Sequence, residues 1–263
     1  MGNDGDRYCL LLAREQELDV SAVARSAAEF FDAPLPEIAL TIRKGGGFLA
    51  SAVPKVIAVE MQRRLDAVGV ETLLLPHSIL EPLPHPHTVR TVELGPRAFV
   101  TYASRGAPGK KIPYSRIMFL SVCVLMRSNR RRESRVEGPK SIRDTLHRFN
   151  PLKTFHESIE RRALKPRRKA EALLDVYTKA PCDCYRMSRS NLDYRGLGEE
   201  KSDTARKNFP ALLRVLIEKA PRAYVTNRTR RFLEGARAEK IAFSDMTEIR
   251  RYHTWLLNVL GSR

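Results

Sequence analysis

The stretch TIRKGGGFLASAVPK, residues 41 to 55, sets three consecutive glycines behind a basic pair and ahead of an amphipathic segment. Two readings compete for it. A Walker loop needs G-x-x-x-x-G-K-[ST], whose backbone N–H groups surround the phosphates while the Lys neutralises them; no Lys-Ser or Lys-Thr follows Gly47. A dinucleotide fingerprint needs a preceding strand and a third, spaced glycine opening a helix. Here the glycines follow a helical pattern, and the third spaced glycine is missing. Punctuation is the better reading: Gly45 ends a helix in the left-handed conformation, and Gly46 and Gly47 allow a tight entry into a strand.

Working outward, the neighbouring text supplies matching elements. YCLLLA reads as a strand, and DVSAVARSAAEFF places Val20, Val23, Ala24, Ala27, Phe30 and Phe31 on one helical face. PEIALTIRK starts a helix with Pro36 in its first turn, where the missing N–H costs nothing. GFLASAVP is a short extended piece. KVIAVEMQRRLDAVG repeats apolar groups at Ile57, Met61, Leu65 and Val68 and stops at Gly69, and ETLLLP closes the unit as a strand. Two separated strands flanking amphipathic helices predict a small sheet with helices packed on one face.

The pattern LPEIALTIRKGGGFLASAVPKVIAVEMQRRLDAVGVETLLL, residues 35 to 75, resembles the C-terminal domain of the bacterial ribosomal stalk protein in its order of elements, glycine-bearing short strand and closing strand. With the elements before it, the resemblance covers residues 6 to 76, about a quarter of the chain. In that family the first two helices present basic and small apolar residues to translation factors. Arg25 falls where one such basic residue lies, whereas Ala28 and Ala39 stand where others belong. The resemblance therefore implies a protein-docking module without specifying its partner.

Beyond this unit, expected at 1 to 76, PHSILEPLPHPHT holds four prolines and three histidines and reads as an extended linker over 77 to 88. The segment 89 to 126 reads as a small antiparallel β module, with VRTVEL, RAFVTYAS and KKIPYSRIMFLSVCVL as strands and SRGAPGK as a turn. Between 127 and 169 the text is basic, of low order near its start, with two helical candidates, SIRDTLHRF and TFHESIERRAL. From 170 to 263 a helix-rich α+β domain is expected: AEALLDVY as helix, CDCYRMS as strand, and TARKNFPALLRVLIEKA and FSDMTEIRRYHTWLLNVL as long helices, the last capped by Asp245 with Glu248. The fold class expected is α+β and multidomain, with a small α/β sandwich at the N-terminus.

The net charge of +17 points to anionic partners: nucleic acid, a membrane surface or an acidic protein. By segment it runs −4 over 1 to 87, +5 over 88 to 126, +10 over 127 to 169 and +6 over 170 to 263, so the excess sits in the middle. The start MGNDGDRYCLLLAREQELD shows neither a basic n-region nor a long apolar core, so a cytoplasmic location is expected. The longest apolar run, IMFLSVCVLM at 117 to 126, is half of what a membrane-spanning helix needs and reads as a buried strand. Four cysteines, Cys9, Cys123, Cys182 and Cys184, without framework spacing suit free thiols in a reducing compartment.

No catalytic motif emerges. The histidines lack the H-E-x-x-H spacing, Cys182 and Cys184 alone make no tetrahedral site, and neither a metal nor a cofactor is expected. The strongest signal is arginine: Arg127, Arg130, Arg131, Arg132 and Arg135, then Arg161, Arg162, Arg167, Arg168 and Lys169, a set suited to phosphate contact and equally to a solvated charged linker. A polar, aromatic stretch around Asp193, Tyr194, Arg206 and Asn208 is a second candidate, either a pocket or a well-bonded loop. The preferred reading is a non-enzymatic binding or scaffold protein that docks a protein partner. Nonspecific RNA or DNA binding through 127 to 169, and an enzyme using 193 to 208, are the alternatives; the oligomeric state is not legible.

Overall fold

The computed structural model describes residues 7 to 31, 33 to 128 and 168 to 262. Its first part runs β1 (Arg7–Leu12), α1 (Val20–Ala27), α2 (Leu35–Lys44), β2 (Phe48–Pro54), α3 (Lys55–Ala67) and β3 (Thr72–Pro76). Strands β4 (Pro86–Val89), β5 (Thr91–Leu94), β6 (Ala98–Tyr102), β7 (Lys110–Pro113) and β8 (Ile117–Ser128) follow. After the segment 129 to 167 come β9 (Arg168–Thr178), β10 (Cys184–Ser188), β11 (Asp193–Gly196), α4 (Ala205–Lys219), β12 (Tyr224–Val225), α5 (Asn227–Leu233), α6 (Ala238–Ile241), β13 (Ala242–Phe243) and α7 (Met246–Gly261). The class is α+β, as the sequence predicts. The two helices expected between 127 and 169 lie outside the described residues, as does nearly all of the stretch expected to be poorly ordered.

The N-terminal unit is an antiparallel sheet in the order β2-β1-β3. The Asp19 carboxylate opens α1 by accepting from the N–H groups of Ser21 and Ala22. Helix α3 buries Ala58, Met61 and Leu65, at helical spacing, against the three strands. Cys9, Leu10, Leu11 and Leu12 are all buried in succession, which on a strand requires cover on both faces. Helices α1 and α3 supply one cover. The C-terminal helix α7 supplies the other, through Tyr252, Trp255, Leu256 and Val259 in the same apolar cluster. A sheet covered by helices on one face alone was the expectation, because nothing local to the unit announces a helix two hundred residues away.

This contact explains the glycines. Gly45, expected to be left-handed, is right-handed at φ −65°, and the positive φ values belong to Gly46 at +59° and Gly47 at +99°. A Cβ on Gly47 would stand 2.1 Å from Trp255 Cδ2, and one on Gly46 2.7 Å from the Tyr252 backbone nitrogen. The Trp255 indole N–H donates to the Leu12 carbonyl at 2.7 Å. The glycine loop is thus the seat on which α7 lies, and its lack of side chains is what lets an indole approach the backbone.

The central sheet has the order β12-β8-β9-β10-β4, with β13 also paired to β8. A second sheet, β11-β5-β6-β7, adjoins it. Segments 89 to 126 and 170 to 263 therefore interleave in two sheets. The physical reason is β8: its apolar run needs neighbours on both edges and both faces, which a three-stranded module does not provide. The Pro/His segment is likewise docked and not a free linker. Leu80 and Leu83 pack on the core, the Glu81 N–H donates to Asn258 Oδ1 at 2.8 Å, and the chain enters the sheet as β4, parallel to β10.

AEALLDVY is a strand, β9, and not the expected helix. A short apolar run fits both periods, and here tertiary pairing decides: β9 pairs with β8 antiparallel from Ile117↔Thr178 to Ser128↔Arg168. Alternation then sorts the side chains. Phe119, Cys123 and Leu125 of β8, with Leu173 and Tyr177 of β9, belong to the cluster beneath α7, whereas Leu120, Val122, Val124, Leu174 and Val176 join Phe209, Leu212, Leu213 and Leu216 of α4. Asp245 caps α7 by accepting from the Glu248 N–H at 2.9 Å, as read from the sequence, while the Glu248 carboxylate reaches one residue past the cap and accepts from the Ser244 N–H. Among the described residues no helix is long and apolar enough to cross a membrane.

Candidate functional site

The sheet register sets Ser121 of β8 opposite Asp175 of β9, and Asp175 opposite Arg186 of β10. These three side chains form a polar row across the face beneath α7. Asp175 is completely buried, and a buried carboxylate costs several kcal/mol unless it is paired. Arg186 meets that cost: Nε and Nη2 donate to the two carboxylate oxygens at 2.7 and 2.6 Å.

From above, α7 lowers His253 onto the row. Its Nε2 lies 2.9 Å from Ser121 Oγ and 3.5 Å from Cys123 Sγ; its Nδ1 lies 3.3 Å from the Tyr177 hydroxyl and 3.5 Å from Asp175 Oδ2. Complete burial drives the imidazole pKa down to about 4; the Asp175 charge opposes this and Arg186 adds to it. The ring is therefore neutral at neutral pH. Because Asp175 only accepts, the tautomer that satisfies the site carries its proton on Nδ1 and accepts the Ser121 hydroxyl proton at Nε2. Burial, reinforced by the Asp175 charge, pushes the Cys123 thiol far up, so it stays protonated.

Hydroxyl, imidazole and carboxylate in this order are the parts of a hydrolase triad. Access separates this arrangement from one: Ser121 and Asp175 have no solvent-accessible surface, His253 has almost none, and Ser121 lies mid-strand beneath a helix. Cys123, Asp175 and His253 also bring metal-capable atoms within 4.8 Å of one another. Arg186, however, holds both Asp175 oxygens and already supplies the positive charge that a cation would bring, beside a thiol that is not ionised. The residues fit a sealed hydrogen-bonded network better than a metal centre.

Next to the network lies a cavity of about 180 Å³. Tyr177, Arg186 and His253 form its floor, Leu83, Pro84, Pro86 and Met246 its walls, and the exposed His85 and Arg250 its rim.

The residues singled out from the sequence fall elsewhere. Asp193, Tyr194 and Asn208 line a cavity of about 670 Å³, and Arg206 is not among its lining residues. Their polar groups are engaged locally: the Asn208 amide exchanges bonds with the N–H and C=O of Ser202, the Tyr194 hydroxyl donates to the Arg189 carbonyl, and Asp193 pairs with Arg195 at 2.7 Å. Arg127, one residue before the end of β8, stands opposite Lys169, and Arg168 opens β9 opposite Ser128, so the two ends of the basic segment leave the ladder side by side. Arg130, Arg131, Arg132, Arg135, Arg161, Arg162 and Arg167 lie outside the described residues.

Sequence reasoning missed Ser121, Asp175, Arg186 and His253. The signal was lone polar residues at alternate positions in apolar strands, SVC and LLDVY, and it was hidden once AEALLDVY was taken for a helix. No protein-family profile, curated protein sequence or solved structure matches this chain.

Proposed function

We propose that the chain is a non-enzymatic binding protein whose N-terminal unit docks an apolar segment of a partner protein. One observation carries this reading. Among the described residues the exposed large hydrophobics are Leu35, Leu40, Val56, Val59, Val68 and Ile79, and all six belong to the first 79 residues. Val56 is 81% exposed, and Val59 follows one turn later on the outer face of α3. Past Ile79 the described residues bury their large apolar side chains, so a set gathered on the N-terminal unit and the start of the strap marks a surface used by another molecule. Lys55 precedes the two valines and Glu60 follows them, with Arg63 bonded to Glu60, so the polar edge of the patch carries both signs of charge. The resemblance to the stalk C-terminal domain agrees with a docking role.

Photo-crosslinking in the native cell tests this. A photoreactive residue at Val56 or Val59 is expected to trap one discrete partner that the same residue at the exposed Arg214 does not, and Val56→Glu with Val59→Glu is expected to abolish its binding in purified form. Identical adducts from α3 and α4, or none from α3, contradict the reading.

A further inference from the structure

The cavity beside His253 has a chemistry of its own, independent of the docking face. Its charged lining is cationic: Arg186 and Arg250, accompanied by His85 and His253, with no carboxylate among the lining residues. Arg186 engages Asp175 through Nε and Nη2. In a planar guanidinium this leaves Nη1 directed away from the carboxylate, with two N–H donors unspent. The Arg250 side chain forms no hydrogen bond or ion pair among the described residues. With Arg186 neutralised by Asp175, the Arg250 charge at the rim has no counter-charge among the described residues.

The walls strengthen whatever that charge attracts. Leu83, Pro84, Pro86 and Met246 exclude water from the sides, and charge-assisted hydrogen bonds gain in such surroundings. The volume of about 180 Å³ is below the ~300 Å³ at which sites for drug-sized ligands begin, so the occupant is small. The basic side chains of the lining come from three elements, Arg186 of β10, Arg250 of α7 and His85 of the strap ahead of β4, an arrangement that suits an oxyanion with oxygens on several sides better than a planar carboxylate. We infer that this cavity is a binding site for a phosphate dianion, either free or as the headgroup of a small phosphomonoester.

Calorimetric titration of the full chain at about pH 8, where phosphomonoesters are dianions, tests it at constant ionic strength, with inorganic phosphate, glycerol phosphate and acetate as probes. Saturable phosphate binding below about 1 mM is expected, with acetate at least about tenfold weaker. Tighter binding of glycerol phosphate assigns the site to monoesters, and tighter binding of inorganic phosphate assigns it to the free ion. Arg250→Ala is on the surface and leaves the fold intact; it is expected to weaken phosphate about tenfold, with Arg250→Lys intermediate. The ring signals of His253 are expected to shift in the same titration. Absence of saturable binding up to about 10 mM, acetate binding as well as phosphate, or Arg250→Ala binding like the unaltered protein overturns the assignment.

Discussion

His253 is the residue on which the interior balances. Its ring meets Ser121 and Cys123 of β8, Tyr177 and Asp175 of β9, with Arg186 of β10 behind the carboxylate. Between pH 6.5 and about 4 an unfolded chain carries a proton on this imidazole that the folded chain refuses. Unfolding therefore takes up a proton in that window, and stability falls as the pH falls, by about 1.4 kcal/mol per unit and on the order of 3 kcal/mol in all. Below about 4 the folded ring also protonates and this contribution levels off. The carboxylates of Asp183, Asp193 and Asp245 are held below their ordinary value of 3.8 and act beneath this window. Urea unfolding at successive pH values is expected to show the slope in the unaltered protein and to lose most of it in His253→Asn. An unchanged slope in that variant contradicts the assignment.

At the scale of elements, the local signals were legible and the long-range ones were not. Caps and stops stand where the sequence puts them: Asp245 at the start of α7, Pro36 in the first turn of α2, Gly69 after α3. The strand β9 was misread because a run as short as AEALLDVY carries no decisive period, and its partner β8 lies across an insertion of some forty residues. The glycine loop was recognised as a turn, but its reason for being glycine is Trp255. Gly47→Ala puts a methyl into the indole at a φ of +99° and is expected to cost on the order of 3 kcal/mol. Gly69→Ala, at a φ of +76° with nothing within 4 Å, meets only the backbone strain and is expected to cost about 1 kcal/mol. Denaturant midpoints read both; equal shifts would mean that α7 does not press on the loop.

Across the whole molecule, one helix organises the parts. Glu15 accepts from the Asn227 N–H and the Tyr224 hydroxyl and also from the Tyr252 hydroxyl, so the N-terminal unit is bonded to α5, to β12 and to α7. Asn258 holds the strap before β4, Trp255 holds β1, and His253 holds the polar row of the central sheet. Seen at this scale, the Ser121, His253 and Asp175 constellation fastens α7 to the sheet, and the docking surface we propose lies on the exposed apolar residues of the N-terminal unit. Labelling with a fluorophosphonate, which reacts with activated serine hydroxyls, tests this division most directly. The folded protein is expected to leave Ser121 unmodified through prolonged incubation near neutral pH; stoichiometric labelling of Ser121 that His253→Asn abolishes would make the row a working catalytic triad and contradict a binding protein built around a sealed network.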